Sequence, residues 1–507
     1  MSPFTPPTTA FNGNTNEPPS PAFKNDLKQA AAAAFDKRWD TLTLALETIT
    51  PVYGGGTMAG EVDMLVPFRP RAIKNAIRHW WWLINRHTYP DSTELYAEMG
   101  RLFGAACESD SGGPGLVQVR VSQPAPGEIA NRVKRYFPWR PPRRGAHGNA
   151  WRPDTANAWA YALFPAKGEQ RIERERDTWS TLLTQIDVAN PNGLVPYSAD
   201  LDLSAWFKSA PRPVIVAGLR FAVEVSMDCA RLTKCESVQV IDAVRAWVSL
   251  GGIGARTHRG LGALKVCQCS AKGALVKAIA PTQGWPDIER FDKWLEEKIP
   301  EATCVIDDVA KPTAGIAWES ALKRYRNFRQ ARQTRANNIP ARSYWPKVDV
   351  VRQKGYLNDG HRPHHPAVSA TKFPLPELFF GAPIEVGTQA NKTTVAYEGA
   401  ERFASPLILR PLCIAGQYHS AAIVLPFLSD VTDKSAKVGT SILTYAQWWY
   451  DTPNDVENML KNPPPSRPDV QPGDPRGHLV SAAENATNPL DMFLNYFDEQ
   501  RRADVAV

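Results

Sequence analysis

The sequence predicts an α+β protein made of two tandem ferredoxin-like units, with insertions and disordered tails. Three observations carry this prediction. Thr41 to Thr50 (TLTLALETIT) alternates Leu42, Leu44 and Leu46 with polar neighbours, the period of a half-buried strand. Arg71 to Arg86 places Ile73, Ile77, Trp80, Trp81 and Ile84 at steps of three and four, the stripe of an amphipathic helix. From there to Val266 the segments run strand, helix, strand, strand, helix, strand, the order of a split βαβ unit.

The elements follow in order. Residues 1 to 40 read as a Pro-, Thr- and Asn-rich disordered tail that ends in a short alanine-rich helix, Gln29 to Arg38. The first unit spans 41 to 280. Its later elements are strands at Leu116 to Val121 and Val214 to Val225, a helix at Val238 to Leu250, and a strand at Leu261 to Val266. Residues 131 to 153 stand apart as a basic, extended insertion, with seven Lys/Arg, no acid, and Tyr136, Phe137, Trp139 and Trp151. A second, diverged copy is expected over 281 to 460. It has a cationic helix at Ala321 to Arg335 and strand-like segments at Leu378 to Val386, Glu401 to Leu412 and His419 to Leu428. Residues 461 to 507 give a Pro-rich segment and a terminal helix, Pro489 to Arg502.

Bulk composition narrows the class. A chain of 507 residues is long enough for two or more cores. The net charge of +7 is mildly basic, so clustering of cations is more informative than their sum. The seven cysteines have no zinc-ligand spacing and no disulfide framework, which fits a reducing cytoplasm. Cys267 and Cys269 would share one face of a strand. There is no signal-peptide pattern, and the most apolar helical stretch is too short and too charged to span a bilayer.

The chemistry concentrates in Gly251 to Gly262, GGIGARTHRGLG, which holds five glycines, two arginines and a histidine. Glycine allows close backbone approach and positive φ, and arginine offers a planar fork of donors to phosphate. Gly251, Gly252, Ile253, Gly254, Arg256, His258 and Arg259 are therefore candidate RNA contacts. The alternative is a connector whose glycines only let a helix pack tightly. The order helix, loop, strand excludes a dinucleotide fingerprint, which needs strand, loop, helix, and no cofactor is expected. Lys74 and Arg78 share a helix face that would grip successive phosphates, with Trp82 placed to stack on a base. Trp80 and Trp81 read as core. The insertion's aromatics match a single-strand binding composition or a docking arm. In the second half Arg329 and Arg332 would extend a phosphate track along the cationic helix. A solvated face is the alternative there.

Catalytic patterns are sparse. His361, His364 and His365 sit in a Pro-rich loop, and Glu47 and the pair Asp307-Asp308 lack partners at a readable spacing. His258 between Arg256 and Arg259 is the one candidate general base for a ribose 2′-OH.

Four segments carry a family likeness: ETITPVYGGG (Glu47 to Gly56), RPRAIKNAIRHWWWLIN (Arg69 to Asn85), the GGIGARTHRGLG loop, and RFASPLILRP (Arg402 to Pro411). Together they resemble the RAMP superfamily of CRISPR effector proteins, most of all the first subunit of the type III-B (Cmr) RNA-guided complex. The chain departs from the family pattern at Arg71, Asn75, His79, His258 and Leu261. The resemblance implies two fused RRM-like domains capping one end of a multi-subunit filament. Such a subunit holds guide RNA near its 3′ end, helps seat target RNA, contacts other subunits of the complex, and is not the nuclease. Arg402 and Arg410 join the candidate RNA-binding set through the fourth segment. A guide-processing ribonuclease and a purely structural adaptor are the competing expectations.

Overall fold

Leu42, Leu44 and Leu46 are buried on one side of the first strand, while Thr41, Thr43, Ala45 and Glu47 are half-buried on the other. In this computed structural model the described residues are 38–105, 113–140, 152–153, 158–170, 194–197, 202–204, 206–273, 284–335, 339–343, 345–358, 375–388, 391–398, 402–426, 436–438, 441–443, 476–483 and 486–505. Residues 1–37, residues 141–151 of the basic insertion with Trp151 among them, His361, His364, His365 and the Pro-rich 462–475 lie outside the described residues.

The first unit has the expected element order. It runs β1 (Trp39–Thr48), α1 (Pro70–Asn85), β2 (Val117–Ser122), β3 (Arg220–Asp228), α2 (Lys234–Leu250) and β4 (Leu264–Lys272), and the sheet is antiparallel in the order β4-β1-β3-β2. Leu42 faces Val225, Leu44 faces Val223 and Leu46 faces Phe221, so the apolar sets of both strands share the core face. The two helices pack side by side on that face. Pro70 opens α1 at its first turn, where a missing N–H costs nothing. A capping box of Thr233 and Glu236 opens α2.

The structure corrects several expectations. Val214 to Val225 is not one strand. Pro213–Ile215 belongs to a small sheet with Val133–Tyr136 and Leu194–Pro196, and the chain bends at Gly218 (φ 94°) before β3 begins. Cys267 and Cys269 do not share a face. The register of β4 against β1 skips Cys267, a bulge that exposes it while Cys269 packs on the core. Tyr136, Phe137 and Trp139 are buried and cannot stack on a nucleotide at the surface. In α1, Leu83 is buried and Ile84 only partly so.

The second half repeats part of the same order. A helix α3 (Ile288–Lys298) leads into β5 (Thr303–Ile306), α4 (Ala314–Arg329), β6 (Leu407–Ile414), β7 (Gln417–Val424) and α5 (Pro489–Val505). The sheet is antiparallel in the order β5-β7-β6, which is the first sheet's order without its fourth strand among the described residues. Ala415 and Gly416, both at positive φ, form the two-residue turn of the β6–β7 hairpin. The expected cationic helix starts earlier and stops at Arg329, so Arg332 lies on a short strand, Arg332–Arg335. Leu378 to Val386 divides into a 3-10 turn, Pro376–Phe380, and a strand, Ile384–Thr388. Prolines at 376 and 383 remove the donors that a continuous strand needs.

Two of the hydrophobic cores join the sheets and helices named above. The first is shared between the sheets, with Ile408, Leu412 and Ile423 joining Leu44, Val244 and Trp285. The second is aromatic, where Tyr325, Phe328 and Phe380 meet Phe493 of α5 at ring distances of 5.2–6.3 Å. At its edge Arg324 donates to Asp307 at 2.8 Å, and both side chains are buried. Asp307 thus has a structural partner. Replacing Arg324 by Met leaves that carboxylate buried against little more than Lys311 at 3.7 Å. We expect Arg324→Met to cost about 3–5 kcal/mol in urea unfolding, with much of it regained in Arg324→Met/Asp307→Leu. A single-variant cost under about 1 kcal/mol, the range of an ordinary surface change, contradicts this account.

Candidate functional site

The glycines of the 251–262 loop serve backbone packing. The loop lies against the earlier stretch Pro51 to Gly56, with Ala255 N–H donating to Tyr53 O at 2.6 Å and Gly262 N–H to Pro51 O at 2.8 Å. A Cβ on Gly254 (φ 83°) would stand 2.5 Å from Tyr53 O, and one on Gly262 (φ 63°) 1.9 Å from Ile253 O. Both positions need glycine for conformation and for space. Gly251 is buried at the end of α2 and Ile253 is in the first core, so neither meets a ligand. The amides of Gly251, Ile253, Gly260 and Gly262 are all used within the chain and do not stand open to phosphate.

The middle of the loop is different. Arg256 is exposed in the left-handed region (φ 60°, ψ 33°), an uncommon state for a residue with a side chain. It precedes a 3-10 turn, Thr257–Arg259, whose first amides stand at its open end. Arg256, Thr257, His258 and Arg259 line one wall of a cleft of about 1040 Å³. The remaining walls come from five other segments: Tyr136 and Pro138; Tyr161, Phe164 and Lys167; Tyr325, Arg326 and Arg329 of α4; Phe380 to Glu385; and Phe403 to Ser405. Among the described residues the cleft thus gathers four arginines, a lysine and a histidine between aromatic rings, with Glu385 as the one carboxylate.

Each cation is held differently. Among the described residues Arg256 forms no ion pair. Desolvation by the cleft walls and then the neighbouring Arg259 lower its pKa. Arg259 is anchored, donating to Tyr325 Oη and Phe380 O at 2.9 Å and to Leu407 O at 3.3 Å, with its guanidinium 4.6 Å from the Tyr325 ring. Arg329 donates to Glu377 O at 3.2 Å and lies 5.0 Å from the Phe380 ring, and its Nε is buried with no partner. Lys167 sits 4.3 Å from the Phe164 ring, and burial lowers its pKa. His258 Nδ1 donates to Ser405 O at 2.8 Å, which leaves Nε2 as the acceptor of the neutral ring. Burial lowers the pKa of His258; the Ser405 hydrogen bond opposes this, and nearby Arg259 and His79 reinforce it.

The other predicted residues fall outside the cleft. Lys74, Arg78 and Trp82 are half-buried on α1, and Trp82 packs on the first core with its ring 6.0 Å from His79. Gly252 and the exposed Gly254 flank the loop's contact with Tyr53. Arg402 is exposed beside the Phe403–Ser405 wall. The side chain of Arg332 lies outside the described residues. Arg410 cannot touch a strand on the surface. It is 1% exposed and donates to Gly251 O at 2.6 Å and Val248 O at 3.1 Å. Burial pushes its pKa down to about 9, which leaves it charged at pH 7. Glu47 is ion-paired with Arg220 at 3.0 Å and Lys265 at 3.4 Å.

Sequence reading missed Tyr161, Phe164, Lys167, Phe380 and Phe403. No local pattern marks them, because six distant segments converge only in the fold. The open face of the first sheet presents Thr43, Glu47, Arg120, Arg220, Glu224, Gln268 and Lys272, and Trp39, in register with that face opposite Asp228, is itself buried. A sheet that reads RNA on its face stacks bases on aromatics there, so the cleft is the better candidate. Among the described residues no group of His, Cys, Asp and Glu is arranged to hold a metal ion, and no helix is long and apolar enough to cross a membrane.

Residues 45–265 match the family model described as the RAMP superfamily. Among solved structures, the chain is similar to Cmr1 from Pyrococcus furiosus in its apo form, at 13% identity over 76% of this chain and 88% of that one, with a TM-score of 0.38. It is also similar to a chain of the type III-B Cmr-beta complex bound to cognate target RNA, at 11% identity over 76% and 94%, with a TM-score of 0.36. A chain of the same complex with target RNA, AMPPnP and single-stranded DNA gives 10% identity over 91% and 99%, with a TM-score of 0.41. No curated protein matches.

The lowered pKa of His258 gives a pH dependence with a definite sign. The unfolded chain takes up the proton near the ordinary value of 6.5, whereas the folded chain does so only at lower pH. Stability contributed by the neutral ring is therefore complete above 6.5 and is lost as pH falls through that window. We expect the melting temperature of the wild type to drop more steeply than that of His258→Gln below that pH. Parallel curves would show that the ring titrates as if exposed.

Proposed function

Because residues 45–265 match the RAMP-superfamily model, we propose that the chain is a non-catalytic RNA-binding subunit at one end of a type III-B CRISPR effector complex. In this reading it holds guide RNA near its 3′ end, helps seat target RNA for antiviral defence, and contacts the other subunits of the complex. The chain is then two tandem ferredoxin-like units, with the cleft between the glycine loop of the first and α4 of the second. The cleft carries the proposal: Arg256, without an ion pair among the described residues and aimed by a left-handed backbone, stands with Arg259, Arg329 and Lys167 among Tyr161, Phe164 and Phe403. Cations that meet backbone phosphates and rings that accept bases of any sequence make a single-strand site. Lys74 and Arg78 would extend it along α1.

A second reading keeps one specific observation. His258 is a neutral ring whose Nδ1 is fixed by Ser405 O, the state a general base requires. The cleft supplies no carboxylate beside it, and the binder is the stronger reading.

The test is binding of single-stranded RNA across a salt series, with RNA integrity followed in EDTA. We expect affinity to fall with salt, and Arg256→Glu to weaken binding and reduce the log–log slope by roughly 0.7 for the one lost phosphate contact. An unchanged slope and affinity would sink the assignment of Arg256. Cleavage of repeat RNA that His258→Gln abolishes would favour the ribonuclease.

A further inference from the structure

The part of the loop that faces the cleft is gripped at both ends by the second half of the chain. At its root, Arg410 on β6 reaches Gly251 O and Val248 O, the terminal carbonyls of α2. Past the turn, Trp318 Nε1 of α4 donates to Arg259 O at 2.7 Å. Gly260 (φ 79°) lies so close to Leu409 O and Trp318 that a Cβ would stand 2.4–2.5 Å from them. Arg256 sits between these two grips. Arg410 is nearly inaccessible and has no carboxylate among its hydrogen-bond partners; its third contact is its neighbour's carbonyl, Pro411 O, at 3.4 Å. A cation belongs at a helix C-terminus, but a surface residue of α2 could fill that role without burying a guanidinium from another sheet. The burial makes sense if the attachment itself has a use.

We propose that Arg410 is a positioning residue: it pins the root of the Gly251–Gly262 loop to the second sheet, so that the presentation of Arg256 to an RNA phosphate is set by the second half of the chain. This rests on the reading of the cleft as an RNA site. Arg410 acts through the loop and never meets the RNA. The first unit alone then presents a loosely held Arg256, and the second half confers affinity without supplying all the contacts.

The salt dependence separates positioning from contact. Full-length Arg410→Met and Trp318→Phe are compared with Arg256→Ala as the contact reference, using a fluorescent oligouridylate. Melting curves confirm the folded fraction, and deuterium exchange is followed over 251–262. We expect Arg410→Met and Trp318→Phe to lose roughly tenfold in affinity at fixed salt through a loosened site. They should keep the wild-type slope, whereas Arg256→Ala loses about 0.7. Exchange in the loop should rise in both positioning variants. A slope that falls in Arg410→Met would make it a phosphate contact and overturn the proposal. So would unchanged affinity together with unchanged exchange. Should Arg410→Met fail to fold, Trp318→Phe, which keeps the aromatic body and loses one N–H, decides the matter alone. If neither the wild type nor Arg256→Ala binds RNA while exchange still rises in the positioning variants, the clamp stands and the cleft assignment is what fails.

Discussion

The approach of two backbones, Pro51 to Gly56 and Gly251 to Gly262, governs the arrangement of everything around the cleft. Side chains would hold them apart, and glycines at 254 and 262 let carbonyl oxygens come to within a Cβ's radius. The loop is thereby fixed to the end of β1. From there it can push Arg256 outward and send Arg259 inward to the second half. One contact thus sets two opposite fates for arginines three residues apart.

Those fates show how position overrides residue type. Arg256, Arg259 and Arg410 carry the same group, yet one is exposed, one is anchored to three oxygens and one is almost fully buried. Arginine's planar fork suits carbonyl oxygens as well as phosphate. A cation-rich motif therefore marks a region where charge is used, without saying which charges reach a ligand.

The first unit was largely legible in the sequence, because its signals are local. The alternation of Leu42 to Leu46 and the stripe of α1 each depend on a few neighbouring residues, whereas the equally local Thr233–Glu236 capping box was not read and α2 was begun at Val238 instead of Lys234. The break before β3 was missed because Gly218 is a single residue inside an apolar run. The bulge at Cys267 was missed because it exists only relative to β1. The glycine loop was legible as a candidate site but not as a geometry, since Gly254 answers to Tyr53, which only the fold brings near, and Gly262 to a turn of the loop back onto Ile253. Half of the cleft's wall was invisible for the same reason: Lys167, Phe380 and Phe403 are ordinary residues in unremarkable segments.

The pairing pattern of the first sheet bears on how the chain is made. β1 pairs only with β3 and β4, so Leu42 waits for Val225 and Ala271 to leave the ribosome. At synthesis rates of roughly 5–20 residues per second, that delay is on the order of tens of seconds. Throughout it, an alternating apolar strand has both edges bare, which is a template for wrong partners. The first unit is therefore assembled late and through distant contacts, a slow route by contact order, and its yield in the cell depends on what shields the nascent β1 in the interval.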